Sequence, residues 1–184
     1  MSSRQRVVYA WTDDLKLFVR ARDVKFLYAN IGPDLRMQAL NEVNEAERNA
    51  DNRSPFFIFE QVHLGTKQEW PKRSDQLAAD YKKRAMVLEK RGKPQKKVVV
   101  PVDPKALPLA IFAGVLAQVA GAIPAPLSGM VVVLAPMFVE KLDAWAADVR
   151  NLIEAPGLKD LRWIVLESTP SPLREFAAQL DSRQ

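Results

Sequence analysis

Hydrophobic and polar positions alternate along the chain in two patterns, helical stripes and short apolar runs. Residues 6–21 place apolar side chains at the i, i+4, i+7 spacing of an amphipathic helix. The run VKFLYANI (24–31) is rich in β-forming residues and stops at Gly32-Pro33, which predicts a strand followed by a turn. A second helix is expected from Pro33 to about Asn49, and FFIFE (56–60) is predicted as another short buried strand.

The same alternation continues to the end of the chain. A loop, QVHLGTKQEW, precedes a helix predicted from about Pro71 to Arg91, where proline suits the first helical turn. VVVPV (98–102) is predicted as an edge strand, because Pro101 cannot donate to a β-ladder. The remaining predictions are a helix over 103–123, a strand in MVVVLAP (130–136), a helix over 138–153, a strand over 161–167 and a terminal helix over 172–180.

Residues 106–139 are thirty-four consecutive positions without a charged side chain, which raises the question of a membrane segment. A spanning helix needs about 20 apolar residues and a span of ~30 Å. The longest proline-free run, 109–123, has fifteen residues and would reach only about 22 Å as a helix. The alternative of a re-entrant hairpin beside the basic GKPQKK is weaker than a buried helix that leads into a central strand of a parallel sheet. We therefore expect no membrane insertion.

The order of these elements indicates the fold class. Strands alternate with helices, which is typical of an α/β domain with right-handed crossovers. A chain of 184 residues suffices for one compact domain with a core. We predict a single three-layer α/β domain over 1–184, with a mainly parallel sheet of four or five strands flanked by helices.

Composition excludes several classes of site. The chain has no cysteine and one histidine, His63, so disulfides, thiolate zinc sites and multi-histidine metal sites within one chain are ruled out. No metal, no cofactor and no catalytic residue is predicted. The N-terminus has early charges and no apolar core, unlike a signal peptide, and we expect a cytoplasmic protein.

The last third of the sequence resembles a known family. VVVLAP, the Trp-bearing helix WAADVRNLIEAPGL and LRWIVLES together resemble the middle of a P-loop NTPase of the AAA or STAND kind, over about residues 130–169. In that family the first of these strands normally ends in the acid that holds magnesium, and the second ends in a polar sensor residue. The resemblance is one of topology and implies an α/β nucleotide-binding scaffold.

The residues that carry the chemistry of that family are missing. A phosphate loop needs GxxxxGK[ST], because glycine amides approach the phosphates while lysine neutralises them. The nearest segment, 60–67, has Glu60 at the first glycine position and has Lys67 after Thr66 rather than before it. Ala135-Pro136 replaces the magnesium acid. The resemblance therefore implies a degenerate, pseudo-enzyme version of the fold.

Polar residues follow several of the predicted strands. In open α/β sheets ligands bind at the carboxyl ends of the strands, which makes candidates of these side chains. Glu60 and Glu167 could act as a carboxylate pair with His63 as a base near neutral pH; the alternative is that Ser168 and its neighbours only cap a helix and His63 is solvated. The candidate ligand-binding residues are Glu60, His63, Gly65, Thr66, Lys67, Glu167 and Ser168.

The positive charge is concentrated in one segment. Between positions 82 and 97 lie eight basic residues and one acid, Glu89: Lys82, Lys83, Arg84, Lys90, Arg91, Lys93, Lys96 and Lys97. Such a run steers an acidic protein partner or contacts nucleic-acid phosphates; the third alternative is a solvated helix end. Tyr81 is the only aromatic residue beside the run that could stack on a base.

Trp70 stands apart from the other three tryptophans, which lie on predicted apolar stripes. It sits between Glu69 and Pro71 in a charged loop, where an exposed tryptophan is typical of an interface anchor. Packing over the start of the next helix is the alternative interpretation.

Three functional hypotheses follow. The first is a non-catalytic protein–protein interaction module, an adaptor or regulatory subunit, that contacts its partner through Trp70 and the basic run. The second is a nucleotide- or small-molecule-binding domain of a divergent NTPase-like enzyme, with Gly65, Thr66 and Lys67 around an anion. The third is nucleic-acid binding through the basic run. We favour the first.

Overall fold

The computed structural model describes residues 3–92, 94–103 and 105–181, and Lys93, whose contribution to the basic run was predicted above, lies outside these ranges. Helices and strands alternate through the described residues as the sequence predicts. In chain order the elements are α1 (Ser3–Arg20), β1 (Phe26–Asn30), α2 (Arg36–Arg48), β2 (Phe56–Phe59), α3 (Glu69–Glu89), α4 (Pro108–Ala120), β3 (Val131–Leu134), α5 (Leu142–Glu154), the 3₁₀ turn Pro156–Leu158, β4 (Arg162–Glu167) and α6 (Leu173–Asp181).

The four strands form one parallel sheet in the order β1-β4-β3-β2. Trp163 on β4 is opposite Phe26 on β1 and Val132 on β3, and Val132 is in turn opposite Phe57 on β2. β3 and β4 are central and every residue in them is buried, which explains their uninterrupted apolar runs. The predicted α/β class with a parallel sheet flanked by helices is confirmed.

Each face of the sheet carries its own apolar core. The smaller core joins α1 and α2 to one face through Trp11, Leu15 and Val43. The larger core joins α3, α4, α5 and α6 to the other face through residues such as Leu77, Phe112 and Trp145. This three-layer arrangement places the uncharged stretch in the interior: the core side of α4 and all of β3 are buried. No helix among the described residues is long and apolar enough to cross a bilayer.

The predicted edge strand VVVPV is wrong. Residues 94–100, which we call the strap, contain no strand and contact α3 and α4 rather than an edge of the sheet. Val98 and Val100 pack against the larger core, and the Gln118 side chain on α4 pairs with the backbone of Val99. A β-branched run looks like a strand locally, but the edges of the sheet are held by β1 and β2.

Several helix starts differ from the predicted ones, including that of α2, which begins at Arg36 and not at Pro33. α4 begins at Pro108 rather than at Asp103, because a helix through 108 would need the backbone N–H that Pro108 lacks. Asp103 instead accepts the N–H of Lys105, and Pro104 lies outside the described residues. α5 begins at Leu142, so Phe138 is outside the helix and is 56% exposed. α3 begins at Glu69, which brings Trp70 into the first turn.

Candidate functional site

Charged and aromatic side chains form a buried cluster beyond the carboxyl end of β2. Its members are His63 in the loop after β2, Glu69, Trp70 and Arg73 in the first turns of α3, and Trp145 in the first turn of α5. Because Glu69 and Arg73 are four residues apart, they lie on the same face of α3. All five are at most 7% exposed. We call this group the His63 cluster.

The His63 ring is oriented by a carboxylate. Its Nδ1 lies 2.9 Å from Glu69 Oε2 and 3.4 Å from the guanidinium of Arg73. A carboxylate only accepts and a guanidinium only donates, so we assign the proton to Nδ1, where it makes the shorter contact. Burial lowers the pKa of His63 most, and the positive charge of Arg73 lowers it further. The carboxylates of Glu69 and Asp148 act to raise the pKa. The ring is therefore neutral at pH 7.

Arg73 is a buried cation stacked on two indoles. Its guanidinium carbon lies 4.8 Å from the Trp70 ring centre and 5.6 Å from that of Trp145, and the two indoles stack 5.8 Å apart. One guanidinium nitrogen donates to the Gln61 carbonyl at 3.1 Å, whereas Nε has no partner among the described residues. Burial lowers the pKa of Arg73 to about 10, which leaves it charged at pH 7.

The loop 64–66 binds a carboxylate of the chain itself. Glu69 accepts the N–H groups of Leu64 and Gly65 at 2.7 and 3.2 Å and the Thr66 hydroxyl at 3.2 Å. Gly65 has φ of +73°, a conformation that favours glycine. Backbone bonds and His63 lower the pKa of Glu69, although burial opposes them. The donors that were predicted to hold an external phosphate are thus occupied, and Lys67 is exposed beside them.

Glu167 at the end of β4 belongs to a neighbouring polar group. Its oxygens accept the Trp145 Nε1–H at 2.6 Å and the Tyr28 hydroxyl at 3.0 Å. Burial raises the pKa of Glu167, and these bonds oppose the shift. Trp145 therefore contacts two of the predicted candidate residues, Glu167 and His63, because its ring centre is also 4.8 Å from that of His63. Glu60, by contrast, is exposed and pairs with Arg36 at 3.3 Å, so the two carboxylates have different partners.

The topology of the sheet marks the crevice where α/β proteins bind ligands. The chain after β1 runs over the face of the sheet that carries α1 and α2, whereas the chain after β4 continues on the opposite face. The strand order therefore reverses between the neighbouring strands β1 and β4. Ile31, Arg36, Glu167 and Ser168 line a cavity of only about 10 Å³ there, which is room for about one water molecule. Arg36 lies over the strand ends and donates to the Ala135 carbonyl and to Glu60. The crevice is closed.

The basic run is divided between two sides of α3. Lys83 pairs with Asp80 at 3.2 Å, and Arg84 donates to Glu47 and to the Phe56 carbonyl. These residues line a depression of about 290 Å³ beside β2. Lys82 lies on the other side of α3, facing the strap that carries Lys96 and Lys97, while Lys90 and Arg91 are exposed at the end of the helix.

A groove among the described residues lies between α3 and the strap. It has a volume of about 510 Å³, and we call it the α3 groove. Its lining combines apolar and basic side chains: Ala78, Ala85, Met86 and Val98 with Lys82, Lys96 and Lys97, and Tyr81 at its base. The Tyr81 hydroxyl donates to the Lys96 carbonyl at 2.9 Å and so fixes one end of the strap to α3.

Trp70 is not an exposed interface anchor, and that interpretation is wrong. It is 4% exposed, and its Nε1 donates to Asp148 at 2.7 Å. Its ring also packs against Phe112 of α4. This is the alternative interpretation, in which the side chain packs at the start of the helix.

Sequence reasoning missed four residues that build the two polar groups: Tyr28, Glu69, Arg73 and Trp145. Glu69 and Arg73 were missed because charged residues on a helix are usually exposed to solvent. The i, i+4 spacing of Glu69 and Arg73 around a tryptophan was the available signal for opposite charges buried on one face of α3.

Comparison with known proteins finds no family model, no curated protein and no solved structure that matches the chain. The contacts within the fold are therefore the basis for an interpretation of function.

His63 is expected to make stability depend on pH between about 7 and 5. The unfolded chain binds a proton with an ordinary histidine pKa near 6.5, whereas burial lowers the pKa of His63 in the fold. Unfolding then takes up protons, so the free energy of unfolding falls as pH drops through 6.5 towards the lower, folded value. The slope for one histidine is at most about 1.4 kcal/mol per pH unit. Urea denaturation at several pH values measures it.

The control for this experiment is His63→Gln, which keeps a donor for Glu69 but does not titrate. His63 is the only histidine of the sequence, so the difference between wild type and variant isolates its proton. Glu69, with its lowered pKa, loses its contribution only at more acidic pH. Parallel pH profiles of the two proteins between pH 7 and 5 would contradict the assignment of a buried neutral ring.

Proposed function

We propose that the chain is a non-catalytic protein–protein interaction module, an adaptor or regulatory subunit, built on an α/β scaffold that resembles a degenerate P-loop NTPase domain. One observation carries the proposal: the α3 groove, about 510 Å³ in volume, has an apolar floor and a lysine rim. Docking sites for peptide segments combine these features, because apolar contacts supply affinity and charges supply orientation. The partner that fits is an acidic protein segment.

The charges along the groove support an acidic partner. Lys82 and Lys97 are exposed and form no ion pair within the described part of the chain. Lys96 also lines the groove, and its ammonium donates to the Gly121 carbonyl at the end of α4. Met86, 49% exposed, adds an adaptable apolar contact of the kind found at binding surfaces. Glu89 is the one acidic residue in the lining.

The occupied polar groups argue against the nucleotide hypothesis. An anion at Gly65, Thr66 and Lys67 would have to displace the Glu69 carboxylate from the amides that it accepts. The crevice at the reversal of strand order holds about 10 Å³, far less than a nucleotide requires. The His63 cluster therefore has the properties of a structural network.

The geometry also disfavours the nucleic-acid hypothesis. Tyr81, the one aromatic residue beside the basic run, is 6% exposed and cannot present its ring to a base. Lys83 and Arg84 face away from the groove and are engaged with Asp80 and Glu47. Too few cations remain on one surface for a continuous phosphate track.

We expect the α3 groove to bind an acidic apolar peptide. The probe is a fluorescein-labelled 12-residue peptide with equal numbers of glutamate and valine, in two arrangements, one alternating and one with valines at helical spacing. Fluorescence anisotropy should show saturable binding of at least one arrangement. The double variant K82E/K97E should weaken binding about tenfold, equal to about 1.4 kcal/mol, because it reverses two rim charges.

Lys159→Glu is the control for a charge reversal outside the groove, since Lys159 is exposed on the turn before β4. It should leave the affinity within about twofold of wild type. If neither peptide binds, or if K159E weakens binding as much as K82E/K97E does, the proposal is wrong. Tighter binding of a twelve-nucleotide oligothymidine than of either peptide would favour the nucleic-acid hypothesis instead.

A further inference from the structure

The strap presents an unpaired strand edge to the α3 groove. Its burial alternates with a period of two, because Val98 and Val100 pack on the larger core while Val99 is 55% exposed. That period is typical of an extended backbone. In such a backbone the N–H and C=O of one residue point to the same side, and those of the next residue point to the opposite side.

The side of the strap that faces α4 is already paired. The Val99 N–H donates to Gln118 Oε1 and the Val99 carbonyl accepts from Gln118 Nε2, both at 3.1 Å. One glutamine amide thus takes the place of a neighbouring strand.

The opposite side of the strap faces α3. The Lys96 carbonyl points that way, because it accepts the Tyr81 hydroxyl. Val98 and Val100 have the same parity as Lys96, so their N–H and C=O groups point to the α3 side too. Among the described residues these four groups have no hydrogen-bond partner. Pro101 follows, and since proline has no N–H the open edge ends there.

We propose that an extended acidic segment of a partner protein adds as a β-strand to the Val98–Val100 edge of the strap, within the α3 groove. This inference rests on the proposed function and specifies the conformation of the ligand. Backbone pairing with Val98 and Val100 would supply affinity. The apolar side chains of the segment would face Ala85 and Met86, and its carboxylates would face Lys82 and Lys97.

Charge selects this occupant over a second copy of the chain. Exposed strand edges also pair with themselves, but two paired straps would place Lys96 and Lys97 of both copies within one short ribbon. Like charges on adjacent strands are destabilising. An acidic strand removes that repulsion.

Backbone methylation of the alternating peptide tests the proposal without changing the protein. In an added strand, all residues of one parity direct their N–H groups to the strap, and the others direct theirs away. One peptide is N-methylated on its valines and the other on its glutamates. Anisotropy should show that one of the two loses at least tenfold in affinity while the other stays within about threefold of the parent. Equal effects of the two methylation patterns, or no effect of either, would overturn strand addition.

A proline substitution tests the edge from the side of the protein. Val98→Pro removes an N–H that has no native partner, so no hydrogen bond of the fold is broken, and it should weaken the alternating peptide at least tenfold. Val102→Pro is the control, since Val102 is 98% exposed and lies beyond the edge. Circular dichroism confirms folding, and if V98P does not fold, the methylated peptides decide. Equal affinity of V98P and V102P would overturn the proposal.

Failure of this inference is distinguishable from failure of the proposed function. If the peptide with helical spacing binds as tightly as the alternating one and methylation has no effect, the groove binds a helix and only strand addition is wrong. If neither arrangement binds, both proposals fail. A dimer in sedimentation that V98P dissociates would identify the strap as a self-association edge and overturn the acidic partner.

Discussion

Replacing Arg162 with methionine is expected to lower the free energy of unfolding by about 3–5 kcal/mol, because it removes the charged donor that serves three backbone carbonyls. Arg162 is the first residue of β4 and is 5% exposed. Its guanidinium donates to the carbonyls of Phe18, Ala21 and Val24, which belong to the last turn of α1 and the residues that follow it. Methionine fills a similar volume but donates no hydrogen bond.

Two effects add to the expected loss. The last carbonyls of a helix have no partner within it, and leaving such a group buried without a hydrogen bond costs about 1–3 kcal/mol. The guanidinium also lies 3.8 Å from the Phe18 ring centre, and its positive charge at the carboxyl end of α1 interacts favourably with the helix dipole. Although burial lowers the pKa of Arg162 to about 10, the group remains charged at pH 7.

Urea denaturation at pH 7 measures the loss, with Arg150→Met as the matched control. Arg150 also lies over a phenylalanine, with its guanidinium carbon 5.0 Å from the Phe176 ring centre, but it is exposed. The control should cost less than about 1 kcal/mol. Arg162→Lys should fall between the two, because an ammonium keeps the charge but cannot reproduce the fork of donors. A loss below about 1 kcal/mol in R162M would mean that water satisfies the three carbonyls.

The elements of the fold could be predicted because each depends on a local pattern. The three buried strands β2, β3 and β4 were found within one or two residues, since parallel strands covered on both faces are continuously apolar. Helix starts were less accurate near prolines, as at Pro108, because two prolines competed for one first-turn position. The strap failed for a different reason. Whether VVVPV joins a sheet depends on which edges are free and not on its own sequence.

The candidate sites, like the fold, were predicted in part and missed in part. The rule that ligands bind at strand ends selected His63 and Glu167, which do lie in buried polar groups there. Their partners were missed because the burial of Glu69 and Arg73 depends on where α3 begins. The sequence predicted that Glu69 lies in the loop before the helix, whereas α3 begins at Glu69. Trp70 was assigned to that loop, and the shift of the helix start by two residues turned an exposed position into a core position.

Replacing Glu69 with alanine is expected to destabilise the protein by about 3–5 kcal/mol, because it removes a carboxylate that stabilises the buried charge of Arg73. Glu69 accepts hydrogen bonds from the Leu64 and Gly65 N–H groups, the Thr66 hydroxyl and His63 Nδ1. Its loss therefore leaves four donors without their acceptor. Glu45→Ala is the control for an exposed ion pair, that with Arg48, and should cost less than about 1 kcal/mol.

The double variant E69Q/R73M separates the effect of the two buried charges from that of packing. If the cost of Glu69→Ala comes from an uncompensated charge, removing both charges while keeping the volumes should recover most of the stability, because an apolar replacement of a buried pair is often neutral. Urea denaturation compares the four proteins at pH 7, with the slope of the transition as a check on the denatured state. A double variant no more stable than E69A would show that the loop 64–66 needs the carboxylate itself. In that case the chain's own anion, and not the neutrality of the cluster, holds the segment between β2 and α3 in place.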